Sequence, residues 1–486
     1  MFKIKIWQFF LATFLLTFIL FYPALNTFNT HDDFFHFNIS RAENFKTFLD
    51  FFNPTKTIDG WNFYRPLSTQ AFYFLIATVF TYNAFGAHLL LFLLFFALLG
   101  LVFFFFKEFT KDKSIAFLAT FFYGISASHF AHIYFVGSQE IIHGLCYLTA
   151  LLFWTKFVKS SRLVFFYFTL VATILALTAK EFAITLPFLM IGIYIWFNLQ
   201  KESRLKFKHI FLALVPLFIL VAIYGYIKII FQNPAGSDSY LLYFSPRILA
   251  NSLAWYGLWA LNLPEMLVDF ISFDGSINPN LWLFWSKQII PIFTLFGLSF
   301  LILIWQFIQA CRRQKTQTLH LLAFCVLEFT IYLAPVLFLP WHKFAMYLTI
   351  PLLFVSLFVA QLFSIQNTKK SLIATFLIVN LLLSWSTLQL THQTHWISQG
   401  AQTARKVYNF MNQNYKDKAA TIAFYDQKTD LDLPWLPSQQ LKVILSDQNF
   451  FKVFYDGTIK AQYLTVDEVA SSTAAIKIPA RQFLGY

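Results

Sequence analysis

Apolar runs of about 18 to 22 residues recur along roughly the first 390 positions, each long enough to cross a ~30 Å hydrocarbon core as a helix. In lipid a backbone must satisfy its own N–H and C=O groups, so unbroken apolar runs of this length read as helices. Composition removes the soluble alternatives, since 58% of the 486 residues are hydrophobic and only 12% are charged. An all-α polytopic membrane protein is expected, with spans near 6–25, 87–106, 114–134, 140–158, 163–178, 182–198, 210–230, 288–309, 318–337, 344–363 and 371–390, eleven in all.

A formal net charge of +13 would suit a nucleic-acid binder, but topology explains it better. Of the 36 Lys and Arg, 17 fall in short segments on one side of the eleven-span arrangement, including Lys3, Lys5, the 107–113 turn, the 201–208 loop and the 312–315 turn. The much longer loops on the other side hold 9, and the tail 10. The positive-inside rule makes the short loops cytoplasmic. This predicts a multi-pass inner or plasma membrane protein with a cytoplasmic N-terminus, an extracytoplasmic C-terminus and no nucleic-acid partner. The first run has no small-x-small cleavage site after it and reads as a retained signal-anchor. Cys146, Cys311 and Cys325, odd in number and far apart, suggest neither a disulfide framework nor a metal site.

Residues 1–390 are expected to form the transmembrane domain, with two long outer loops. The first, 26–86, has a helical pattern around Phe37 to Phe52, the sequence "WNFYRPLSTQ" and an interfacial apolar stretch from Ala71 to Phe85. The second, 231–287, mixes Trp and Tyr with Pro264, Asp269 and Asp274. Residues 391–486 turn polar and are expected to form a small extracytoplasmic α/β domain, with helical "WISQGAQTARKVYNFMNQNY" before strand-like "AATIAFYD" and "LKVIL".

Asp32, Asp33, Tyr64, Arg65, His129, His132, Gln139, Glu140, Lys180, Glu181, His342 and Lys343 all fall at or near the outer ends of these spans. An ionisable residue at a helix centre costs roughly 2.5–3.5 kcal/mol on insertion scales, so such residues usually line a polar cavity. One outer-face cavity would explain them together. Each also has an ordinary alternative. Lys180 and Glu181 would suit the solvated turn of a helical hairpin, and Asp32 and Asp33 a helix cap. His129 and His132, at i and i+3, would suit a metal pair or simple helix-end histidines. Arg65 with Pro66 would suit a helix-starting turn with a snorkelling arginine.

The order of four elements carries a resemblance. "NTHDDFFHFN" after the first span, then "FYRPLSTQAFYFLIATVF", then "SHFAHIYFVGSQEIIHGLCYLTALLFW", then "LALTAKEFAITLPFLM" resembles the GT-C superfamily of membrane glycosyltransferases, nearest in pattern to the protein O-mannosyltransferase-like group. The resemblance covers roughly residues 1 to 200. Phe130 stands where that group has a proline, "GSQE" replaces its Gly-Arg-x-Asp-like turn, and His36 sits one residue later than its histidine.

The resemblance implies inverting transfer of a sugar from a polyprenyl-phosphate carrier to a protein, lipid or glycan acceptor. It aligns Asp32 with the catalytic aspartate and Asp33 with its acidic neighbour. The leaving phosphate develops negative charge, which makes Arg65, Lys180 and Lys343 the candidate donor-phosphate ligands. His36, Tyr64, His129, His132, Gln139, Glu140, Glu181 and His342 are the supporting candidates, and a divalent metal joining Asp32 and Glu140 stays open. No Gly-rich phosphate loop occurs, in keeping with a lipid-linked rather than a nucleotide donor. The competing readings are a ligase or polymerase of lipid-linked oligosaccharide, a transporter or flippase, which should place ionisable groups near the midplane, and a non-catalytic scaffold.

Overall fold

The computed structural model describes residues 5–58, 62–231, 240–272, 274–364, 368–416, 418–474 and 476–485, and most of them are helical. Among them, seven helices are long and apolar enough to cross a membrane: Ile6–Asn26, Ala84–Thr110, Glu140–Ser160, Glu181–Leu199, Phe207–Phe231, Asn280–Leu333 and Lys370–Thr394. An eighth crossing is available if Lys113–Gly124 and Ala127–Tyr134, bent by 53°, act together. The chain is a multi-pass membrane protein, but the expected eleven spans are not reached on these grounds. Two of the expected segments, Leu163–Ala179 and Pro351–Ser364, have only 17 and 14 helical residues, short of the ~20 that a crossing needs. Two others lie on the 54-residue stretch Asn280–Leu333, whose backbone breaks at Gln314 (φ −141°, ψ 56°).

Local chemistry sets several borders. Asn83 and Asp112 cap the helices that follow them, their side chains accepting from the N–H groups of Phe85 and of Ser114 and Ile115. Large apolar side chains such as Leu93, Ile229 and Leu283 point outward, ordinary against acyl chains that are as apolar as they are. In the first long loop the helical pattern resolves into short pieces, Asp32–Ile39, Phe45–Leu49 and Asp50–Phe52. Residues 232–239 of the second long loop lie outside the described residues.

The tail opens with the expected helix, Trp396–Tyr415. Its sheet is parallel, in the order β2-β1-β3, with β1 at Ala420–Tyr425, β2 at Ile459–Leu464 and β3 at Ile476–Pro479. The "LKVIL" segment is not a strand. It ends the helix Pro437–Ile444, started by Pro437, with Leu441, Ile444 and Leu445 buried on one face at i, i+3 and i+4. Parallel strands need a crossover, and this helix with Asn449–Tyr455 supplies it between β1 and β2. The tail packs on the first loop: Phe34 stands edge-on to Phe450 at 5.1 Å, and the Asn38 amide donates to the Asn449 carbonyl at 3.0 Å.

Candidate active site

The helix Asp32–Ile39 begins after His31, whose backbone (φ 52°, ψ −123°) lies where side-chain-bearing residues are rarely found. The tail holds it there. The His31 N–H donates to the Ile444 carbonyl at 2.8 Å, and the ring stands edge-on to Trp396 at 4.8 Å. Gly400 makes room for that ring, since a Cβ there would meet His31 Cε1 at 2.4 Å. Thr30 completes the clamp with its hydroxyl 2.8 Å from His31 Nδ1.

Neighbouring residues of a helix point about 100° apart, and the two carboxylates separate accordingly. Asp33 is buried, accepting from the Tyr73 hydroxyl at 2.5 Å and from the Thr30 N–H at 2.9 Å. Burial pushes its carboxyl up to about 7 against the pull of those two bonds. Asp32 is exposed, and among the described residues none hydrogen-bonds its carboxylate. Burial nevertheless raises its pKa, while the Arg65 guanidinium lowers it.

Five polar residues from three distant segments meet beside it. The Arg65 guanidinium grips Glu181 with two nitrogens, Nε donating to Oε2 at 2.7 Å, while Nη1 donates to Gln139 Oε1 at 2.7 Å. Lys180 pairs with Glu140, whose other oxygen accepts from the Thr349 hydroxyl at 3.3 Å. Glu140 stands in the first turn of Glu140–Ser160, where the helix dipole favours a carboxylate. Tyr240 feels the charges of Arg65, Glu181 and Asp32, and its ring lies 4.4 Å from that of His342. The His342 Nε2 faces the Tyr347 hydroxyl at 2.7 Å. Burial, with the charges of Lys180 and Arg65, holds His342 down to about 4, so it is neutral at pH 7.

Not every candidate joins this cluster. The Lys343 amino group donates to Asn251 Oδ1 at 2.7 Å and lines a separate recess. The Tyr64 hydroxyl donates to the Phe52 carbonyl at 2.7 Å. His36 is buried against the Tyr73 ring, and burial holds it down to about 3. His129 and His132 face each other through Nδ1 at 2.9 Å, with their Nε2 atoms on the carbonyls of Tyr123 and Met346. Among the described residues no group of three or more His, Cys, Asp or Glu is arranged to hold a metal ion.

Sequence reading missed Tyr73, Thr349, Lys228 and Glu328. Lys228 lies 5.4 Å from the Phe63 ring on which Arg65 also rests, at 4.1 Å. Glu328 is buried against Gly192, and among the described residues neither of its carboxyl oxygens has a hydrogen-bond partner. A lone acid in the apolar run "FCVLEFTIYL" was the available signal for it. Compared with known protein families and with curated proteins, the chain matches no family model and no curated protein.

Proposed function

We propose that this chain is a membrane glycosyltransferase of the GT-C type, moving a sugar from a polyprenyl-phosphate carrier to an acceptor on the extracytoplasmic face. The observation that carries this reading is the Asp32 carboxylate, exposed, without a hydrogen-bond partner among the described residues, and within reach of the Arg65 charge. The acceptor oxygen attacks the anomeric carbon as Asp32 takes its proton. The bond from that carbon to the phosphate oxygen breaks, and its electron pair leaves on polyprenyl phosphate. Arg65, already oriented by Glu181 and Gln139, offers fixed positive charge to the developing anion. The order of the four sequence elements supports the same reading.

Single-turnover transfer from a synthetic polyprenyl-phosphate sugar tests it. Asp32→Asn should slow transfer by about 10²–10⁴-fold with donor binding nearly unchanged, the range expected for a lost general base, and Asp33→Asn should slow it less. Wild-type turnover in Asp32→Asn would leave the enzyme reading without its base. A second reading, transport of a lipid-linked glycan, is favoured only by Glu328, a buried ionisable group along a span. Under that reading Glu328→Gln abolishes movement of the substrate across the membrane, whereas a transferase keeps its turnover.

A further inference from the structure

A recess of about 460 Å³, within the ~300–1,000 Å³ usual for small-molecule sites, is lined by Lys343, the neighbour of His342 in the chain. Residues 340–344 connect it to the Arg65 cluster. His342 lies against Tyr240 and feels Lys180 and Arg65, while Trp341 and Lys343 line the recess. The tail supplies Trp396 and Gln399, and the turn after the helix Pro246–Ala260 supplies Glu265 and Asp269. Trp396 also carries the ring against which His31 stands, so one side chain separates this lining from the residue that starts the Asp32 helix.

The lining selects a class of ligand. The Trp341 indole, 72% exposed, offers a flat apolar face, and Trp396, half-buried with His31, Phe135 and His395 around it, adds apolar edge. Carboxylates, an amide, the hydroxyls of Thr391 and Thr394 and an ammonium offer acceptors and donors together. Glu265 is already anchored, accepting from the Ala345 N–H at 3.1 Å with His395 Nε2 at 3.8 Å. Asp269 and Gln399 are exposed. Two carboxylates oppose an anion, the apolar faces have no use for a small cation, and the polar atoms oppose a lipid tail. A ring with apolar faces and a rim of hydroxyls satisfies all of them.

We propose that this recess is a binding site for a neutral saccharide, and, resting on the transferase reading, that the saccharide is the acceptor or the part of it nearest the transferred sugar. The test is direct binding of a panel of neutral tri- to hexasaccharides to the purified full chain in nanodiscs, followed by intrinsic tryptophan fluorescence and calorimetry. At least one should bind the wild type, and Trp341→Ala and Asp269→Asn, both at exposed positions, should each weaken it tenfold or more. Lys111→Ala, an exposed change far from the recess, should bind it as the wild type does. No binding across the panel, wild-type affinity in both recess variants, or an equal loss of binding in Lys111→Ala overturns the proposal. An unstructured peptide that binds in a Trp341-dependent way while no saccharide does overturns it as well. Failure of the transferase reading shows instead as unchanged turnover in Asp32→Asn, and leaves the binding result standing.

Discussion

The helix Glu140–Ser160 carries ion pairs at both of its ends, and they differ in kind. At its start Glu140 meets Lys180 with side chains 0% and 4% exposed. Near its end, about 28 Å away at 1.5 Å per residue, Lys159 lies 3.6 Å from Glu108 and 3.9 Å from Glu202, both about one third exposed. Lys111, at 3.1 Å from Glu202, is 61% exposed. Lys159 itself is only 10% exposed, but water reaches Lys111 and both glutamates, screening their charges and letting Glu202 exchange partners. At the first end, both ions are buried, with the Thr349 hydroxyl on the other Glu140 oxygen and the charges of Arg65 and Glu181 close by, and the arrangement is fixed. On the proposed transferase reading that fixity has a use, because dipoles already in place cost no reorganisation as charge develops.

The strongest way to break the contrast is to remove one partner of the buried pair. Lys180→Ala leaves Glu140 buried without its counter-ion, which should cost about 3–5 kcal/mol. Thermal unfolding in detergent should show a large fall in midpoint or no folded protein. Lys180→Met combined with Glu140→Gln, which removes both charges, should recover most of the loss. A single variant as stable as the wild type would mean that the pair does not hold the site together.

Asp33 offers a smaller test at the same end. Its carboxyl sits near 7 in the folded chain against 3.8 unfolded, so the folded state holds the proton more tightly. The resulting stability is complete below about pH 4 and is lost as the pH rises through 7, with an upper limit on the order of 4 kcal/mol. Asp33→Asn keeps an acceptor for Tyr73 but loses the one for the Thr30 N–H. Its unfolding midpoint should therefore start lower at pH 4 and decline less between pH 4 and 8 than that of the wild type. Parallel declines in the two proteins would place the titrating group elsewhere.

What the sequence made legible follows the same divide between local and distant causes. Apolar runs announce helices by length alone, and Asp32, Arg65, Gln139, Glu140, Lys180 and Glu181 announce a site by their depth. The pairings were hidden. Lys180 and Glu181 are neighbours in the chain, yet the extended backbone at Lys180 (φ −162°, ψ 144°) sends the two side chains to different partners, Glu140 and Arg65. Nothing local distinguishes Lys343, which goes to Asn251, from a cation of the cluster. The tail gave no sign that Trp396, Gly400 and Ile444 would hold His31, because that clamp joins residues more than 360 positions apart. "LKVIL" misled for a simpler reason: a short apolar run suits either a strand or a buried helix face, and the proline before it was the better guide.

The smallest effect belongs to the exposed end, and it sharpens the comparison by what it leaves unchanged. Lys111→Ala removes a side chain that is 61% exposed and 3.1 Å from Glu202. Glu202 keeps Lys159 at 3.9 Å and keeps water. The expected loss is about 0–1 kcal/mol, the usual range for exposed pairs, and it should shrink further as salt is raised, because charges in solvent are screened over about 8 Å at physiological ionic strength. Lys180→Ala should show almost no such salt dependence, since ions do not enter a pair exposed by 4% or less. Unfolding midpoints of both variants at low and high salt give the comparison directly. A Lys111→Ala loss as large as that of Lys180→Ala, or a Lys180→Ala loss that salt abolishes, would mean that the two ends do not differ in dielectric, and the argument for a preorganised Lys180–Glu140 pair would go with it.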